Sequence, residues 1–168
     1  MININKATVS SDAKNLAVFM QAVLDQVVTS FASYNMPLPF RKYWTLGAPA
    51  VDCEQVVVSL IQMYVGAPGD EATSPRRCSD PRSATITVAV SRQVPTVGPS
   101  GKAPAAETIE SYAEVSAYDA WILLDSAAQL DTWEPSGGYG VGVIATVEVN
   151  APEGGYQTVT LTLTAAIP

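Results

Sequence analysis

Apolar residues at Leu16, Met20, Val23, Leu24, Val27, Val28 and Phe31 recur at steps of three and four, preceded by Ser10, Ser11 and Asp12, whose short side chains suit a helix N-cap. The pattern predicts an amphipathic helix ending before Pro37, with Lys14, Gln21 and Asp25 on its other face. The period then changes. Residues 54–65 are nearly all β-formers, with Val56, Val58 and Leu60 on one side and Val57, Ile61 and Met63 on the other, so a strand covered on both faces is expected. In residues 83–94, Ala84, Ile86, Val88 and Val90 alternate with Thr85, Thr87, Ala89 and Ser91, which predicts one oily and one hydroxyl-bearing face; Pro95 ends the pairing. A second helix is predicted over 105–130, its buried stripe read as Ile109, Ala113, Ala117, Ala120, Leu124 and Ala127, small enough to lie close to a neighbour. Two further alternating stretches follow: Val141, Val143, Ala145, Val147 and Val149, then Val159, Leu161 and Leu163 set against Thr158, Thr160, Thr162 and Thr164. The "NAPEGG" between them reads as a hairpin turn.

The segment "NMPLPFRKYWTLGAPAVDC" is punctuated by proline and rich in aromatics, and reads as an ordered crossing loop that lays Phe40, Tyr43 and Trp44 against the core. The order is then α-β-β-α-β-β. Two hairpins and two helices suggest an α+β fold, an antiparallel four-stranded sheet with both helices packed on one face. A chain of 168 residues that is 48% hydrophobic fits a single domain over 1–168 with a packed core.

Charge and cysteine narrow the function. A net charge of -7 speaks against non-specific nucleic-acid binding, which needs an excess of Lys and Arg to neutralise phosphates. The opening "MININKATVSSDAKN" lacks a signal-peptide layout, and no apolar run is read as approaching the roughly 20 residues of a membrane span, so folding in a cytoplasm without membrane contact is expected. Cys53 and Cys78 would sit ~40 Å apart in a plain hairpin, too far for a disulfide unless the intervening loop folds back along the sheet.

Catalytic chemistry finds little to stand on. The chain has no histidine, which removes the ordinary triad, the imidazole base and the His metal ligand. Arg76 and Arg77 can lower a thiol pKa at Cys78 but cannot shuttle its proton. "GPSGKAP" lacks the spacing and the Ser or Thr of a phosphate loop, and Gly140, Gly142 and Ala145 match a dinucleotide fingerprint where a strand opens instead of a helix. Carboxylates such as Asp52 with Glu54, Asp70 with Glu71, and Asp125 with Asp131 and Glu134 lack zinc or EF-hand spacing and read as solvated charge. No catalytic, metal or cofactor residue is assigned.

Two surfaces are left. The connection at 66–82 is far longer than the two to five residues of an ordinary hairpin and carries Arg76, Arg77 and Arg82 among prolines, suited to pairing with carboxylates of an adjacent subunit or, alternatively, to being a solvent loop. The row Thr158, Thr160, Thr162 and Thr164, with Thr85 and Thr87, either is hydrated or seats a partner.

The element order, "DCEQVVVSL", the strand "RSATITVAVSRQVP" and "DAW" (Asp119 to Trp121) together resemble tail-terminator proteins of long, non-contractile-tailed bacteriophages, especially those infecting actinobacteria. The resemblance implies a non-enzymatic subunit, assembled in the host cytoplasm, that forms a six-membered ring in the virion. Such a ring caps the tail tube, stops polymerisation of the tube protein and docks onto the head connector or stopper, while genome DNA passes through its lumen without specific binding. On that reading the 66–82 arm reaches a neighbouring copy, with Arg76, Arg77, Arg82, Thr158, Thr160 and Thr162 as interface candidates, and acidic walls would repel phosphate. Another head-to-tail connector ring is the nearest alternative, and a small-ligand-binding α+β domain a more distant one.

Overall fold

The computed structural model describes residues 11–69, 82–97, 101–130 and 143–167. The chain runs α1 (Ser11–Ser33), β1 (Arg41–Leu46), β2 (Gln55–Val65), β3 (Arg82–Gln93), α2 (Ala106–Leu130), β4 (Val143–Val149) and β5 (Tyr156–Ile167). The strands form one sheet in the order β1-β2-β3-β5-β4.

Helix α1 buries Phe19, Met20, Val23, Leu24, Val27 and Phe31 and turns Gln21, Asp25 and Thr29 outward. Its end is set by Asn35, which takes φ 55, while the Asn35 amide donates to the Ala32 carbonyl and the Met36 amide to that of Phe31. Those two bonds are a Schellman cap, which satisfies carbonyls the helix would otherwise orphan and swings the chain towards Pro37. By length and composition alone Leu16–Ser33 would suffice to cross a bilayer, contrary to the expectation that no run approached that length. Its apolar stripe is instead spent on the core, with Met20, Val23, Val27 and Phe31 fully buried.

The sheet corrects the expected four antiparallel strands to five in a mixed arrangement. The additional strand is β1, which pairs in parallel with β2 from Arg41 opposite Gln55 to Leu46 opposite Leu60. Parallel neighbours usually need a crossover of a dozen residues or more. Because β1 is only 6 residues long, residues 47–54 are enough to bring the chain back beside it in extended form. The turn starts at Gly47, whose φ of 75 favours glycine and whose amide donates to the Leu60 carbonyl. The sequence predicts a loop here that lays its aromatics on the core. Phe40 is instead fully exposed, at 100%, and Trp44 is only partly covered, because β1 is an edge strand facing solvent. Arg41 and Lys42 on that edge discourage pairing with a foreign strand.

Both β2/β3 and β4/β5 are antiparallel, the latter closed at Glu153 and Tyr156, whose backbones bond reciprocally across Gly154 (φ 58) and Gly155 (φ 83). Two consecutive left-handed residues match the twist of the flanking strands, hence the paired glycines. The core lies between α1, α2 and one sheet face: Val56 and Val58 of β2, Ala84, Ile86, Val88 and Val90 of β3, and Val159, Leu161, Leu163 and Ala165 of β5. Strand β2 is covered on both faces only in its first half. Past a register shift between Leu60 and Gln62, Ile61, Met63 and Val65 are exposed.

The largest departure from the periodic reading is in α2. Its buried side chains are Ser116, Asp119, Ile122, Leu123, Ser126, Ala127 and Leu130, whereas Ile109, Ala113, Ala117 and Leu124 of the expected core stripe face solvent. Only Ala127 of that stripe is buried, with Ala120 partly so. The polar residues turn inward because each has a partner: Ser116 bonds to Gln157 and the Tyr112 carbonyl, Ser126 to the Ile122 carbonyl, and Asp119 to Arg92.

Candidate docking surfaces

The hydroxyl-bearing sheet face is assembled from the strands expected to carry it. The β3/β5 register sets Thr85 opposite Thr164, Thr87 opposite Thr162, Ala89 opposite Thr160 and Ser91 opposite Thr158, and β4 extends the row with Thr146 opposite Thr162. The Ser91 and Thr158 hydroxyls are 2.9 Å apart, Asn150 Nδ2 donates to Thr160 Oγ1 at 3.0 Å, and Gln62 Nε2 donates to Thr85 Oγ1 at 3.3 Å. Thr85, Thr87, Thr158, Thr160, Thr162 and Thr164 are half-buried, and Thr146 is exposed. Ser59, on the same face of β2, is fully buried, and its hydroxyl has no hydrogen-bond partner.

Arg82 does not join that row. It opens β3 opposite Val65 and Ile167, on the same side of the sheet as Ala84 and Ile86, while Thr158 lies near the strand's other end. Arg76, Arg77 and Cys78 fall outside the described residues, as do Gly140 and Gly142. The first residues of the arm are described, and they bend across the hydroxyl face. Ser83 Oγ donates to the Gly66 carbonyl at 2.6 Å, the Gly69 amide donates to the Tyr64 hydroxyl at 3.3 Å, and a methyl group placed on Gly69 would come within 2.8 Å of Ile144 Cδ1 on β4. Gly69 is favoured by its φ of 85, which residues with a side chain rarely adopt.

Two features have no local signature in the sequence. The first is an ion pair between a buried carboxylate and a half-buried guanidinium: Arg92 Nε and Nη2 donate to the two oxygens of Asp119 at 2.6 and 2.9 Å, and Nη2 also donates to the Pro37 carbonyl at 2.8 Å. Asp119 is 1% exposed, and its desolvation raises the carboxyl pKa above the usual value while the hydrogen bond and charge of Arg92 pull it back. One guanidinium therefore ties the exit of α1, the middle strand of the sheet and α2 together.

The second is a groove of about 790 Å³ between the C-terminal end of α1 and the middle of α2, lined by Tyr34, Met36, Glu114, Ala117, Tyr118, Trp121 and Ile122. Trp121 is 66% exposed and Tyr118 50%, and the Tyr118 hydroxyl donates to Glu114 Oε1 at 3.2 Å. Next to it, Tyr34 and Gln129 both donate to Asp125 Oδ2, at 3.4 and 2.8 Å.

The remaining candidates are structural. Arg41 Nη1 reaches Asp52 Oδ1 at 2.9 Å and the Cys53 thiol at 3.3 Å, Tyr43 donates to Gln55 Oε1, and Gln55 Nε2 donates to the Ala50 carbonyl, so the 47–54 return is pinned against the sheet edge. Glu54 accepts the Gln93 amide at 3.0 Å. Cys53 is a half-buried free thiol. Among the described residues no group of three or more Cys, Asp or Glu could hold a metal ion.

No protein-family model matches the chain, and no curated protein matches it. Among solved structures it is similar, at a TM-score of 0.47 and 14% identity, to a chain in the virion of native gene transfer agent (GTA) particle, over 95% of this chain and 98% of that one.

Proposed function

We propose that this chain is a structural, non-enzymatic subunit of a bacteriophage virion whose copies form a ring at the tail end, capping the tail tube, halting its polymerisation and joining the tail to the head connector. The observation that carries this reading is the orientation of α2. A helix that sends Ser116, Asp119 and Ser126 into the core and leaves Tyr118, Trp121 and Leu124, three residues apart on one side, in solvent has apolar side chains to spare, and exposed apolar surface marks an interaction site. The hydroxyl row on the opposite side of the sheet offers a second face of different chemistry, and a subunit with two unlike contact faces is what a head-to-tail ring requires. Further support comes from the resemblance: two of its short motifs, "RSATITVAVSRQVP" and "DAW", meet through the Arg92–Asp119 pair, so they act as one unit that sets α2 on the sheet.

The test is the size of the purified chain over a range of concentrations, by light scattering and negative-stain imaging, alone and with tail-tube assemblies. Concentration-dependent rings, or decoration of tube ends, are expected. In the Arg76→Glu/Arg77→Glu variant, assembly should be lost while the melting temperature stays within about 2 °C. A persistent monomer that turns over a small molecule would end the proposal.

A further inference from the structure

The α1/α2 groove presents chemistry that another segment of the same chain complements. Its exposed ring faces, Tyr34, Tyr118 and Trp121, are platforms for a guanidinium, and the Glu114 carboxylate stands among them. The helix that supplies most of the groove carries Glu107, Glu110, Glu114, Asp119 and Asp125 and no Lys or Arg. The chain has only 9 Lys and Arg, and its only two adjacent arginines are Arg76 and Arg77, between Pro75 and Pro81. We propose that the groove receives the 70–81 segment of a second copy, with Arg76 and Arg77 seated against Tyr118, Trp121 and Glu114. This rests on the ring reading and supplies its contact.

Reach decides that the contact is between copies. The groove lies near Arg92, since Arg92 holds Asp119, two residues from Trp121, and the carbonyl of Pro37, which follows Met36. The arm rejoins the sheet at Arg82, about 33 Å away along β3 at ~3.3 Å per residue. From Gly69 to Arg82 the chain has a contour of about 44 Å, so it can reach roughly 22 Å before it must return. Moreover, it departs over the hydroxyl face, near Ile144, while the helices cover the opposite face. A segment that cannot reach its own groove but matches it makes a contact between unlike patches, which closes a ring or extends a chain of subunits.

A fluorescein-labelled peptide of residues 70–81, with Cys78→Ser, titrated with the full-length chain and read by anisotropy, tests this directly. Saturable binding is expected, weakened at least tenfold by Trp121→Ala or Glu114→Lys in the protein and by Arg76→Glu/Arg77→Glu in the peptide. No binding, or binding indifferent to both groove substitutions, overturns the inference. Mixing the Arg76→Glu/Arg77→Glu chain with a Glu114→Lys/Trp121→Ala chain should yield a heterodimer and nothing larger, because one intact arm faces one intact groove; failure of that pair to form also counts against it. If wild type assembles and the groove variants assemble equally well, the inference falls and the ring reading stands, and the groove is then open to the tube protein. If the peptide binds as expected while wild type stays monomeric, the groove assignment holds and the ring reading falls.

Discussion

The two helices lie side by side on one sheet face, yet they were built by different rules. In α1 the oily stripe is the buried stripe: Met20, Val23, Val27 and Phe31 are all at 0% exposure, and Gln21 and Asp25 look outward. In α2 the assignment is crossed, with Asp119, Ser116 and Ser126 inside and Trp121, Ile109 and Leu124 outside. The difference shows that a periodic apolar pattern identifies a face that seeks cover without saying which surface provides it. For α1 the cover is the sheet. For α2 the sheet side combines Ile122, Leu123, Ala127 and Leu130 with the polar contacts of Ser116, Asp119 and Ser126, and Trp121 and Leu124 are left outside.

The contrast can be broken most forcefully at Asp119. Asp119→Ala should lower unfolding free energy by about 3–5 kcal/mol in urea titrations, since it strands the Arg92 charge beneath α2. Replacing the pair together by Arg92→Met/Asp119→Leu should recover most of that loss, because two apolar groups need no partner. A loss below about 1 kcal/mol for the single change would mean that α2 is held by its few apolar contacts alone. A smaller effect sharpens the comparison from the other side. Met20→Ala in α1 should cost about 2–5 kcal/mol, whereas Leu124→Ser in α2 should stay within about 0.5 kcal/mol in the monomer, although both residues sit on the oily stripe of their helix. The smallest effect is in pH. Burial raises the folded-state pKa of Asp119, so the stability it contributes is complete below the unfolded value of about 3.9 and is lost as pH rises through the folded value. Measured against Asp119→Asn, wild-type stability should therefore decline across the carboxylate range and then level. A rise instead would mean that Arg92 outweighs desolvation.

Much of the framework was legible in the sequence because it is local. The limits of α1 and α2, the alternation of Ala84 to Val90 against Thr85 to Ser91, and the turn at Gly154-Gly155 all follow from residues a few positions apart. Strand β1 was not legible. Its six residues are mostly charged or aromatic, Pro39 and Pro49 sit on either side, and its parallel pairing with β2 depends on a partner that pattern alone cannot name. The inward face of α2 was hidden for the same reason: Asp119 looks solvated until β3 brings Arg92 beside it. The interface candidates divide likewise. Register unites the threonines, which alternate along neighbouring strands, but places Arg82 on the other side of the sheet. The α1/α2 groove needed a tertiary arrangement to exist, since Tyr34 and Met36 come to Tyr118 and Trp121 only when the two helices pack.

Arg92 gives the molecule a mechanical character that a purely oily interface would lack. Asp119, two residues from Trp121, is joined through one guanidinium to the central strand and to the start of the 37–40 segment. Fixed hydrogen-bond geometry resists shear in a way that non-directional packing does not. The helix is thereby fixed to the central strand by directional bonds as well as by packing.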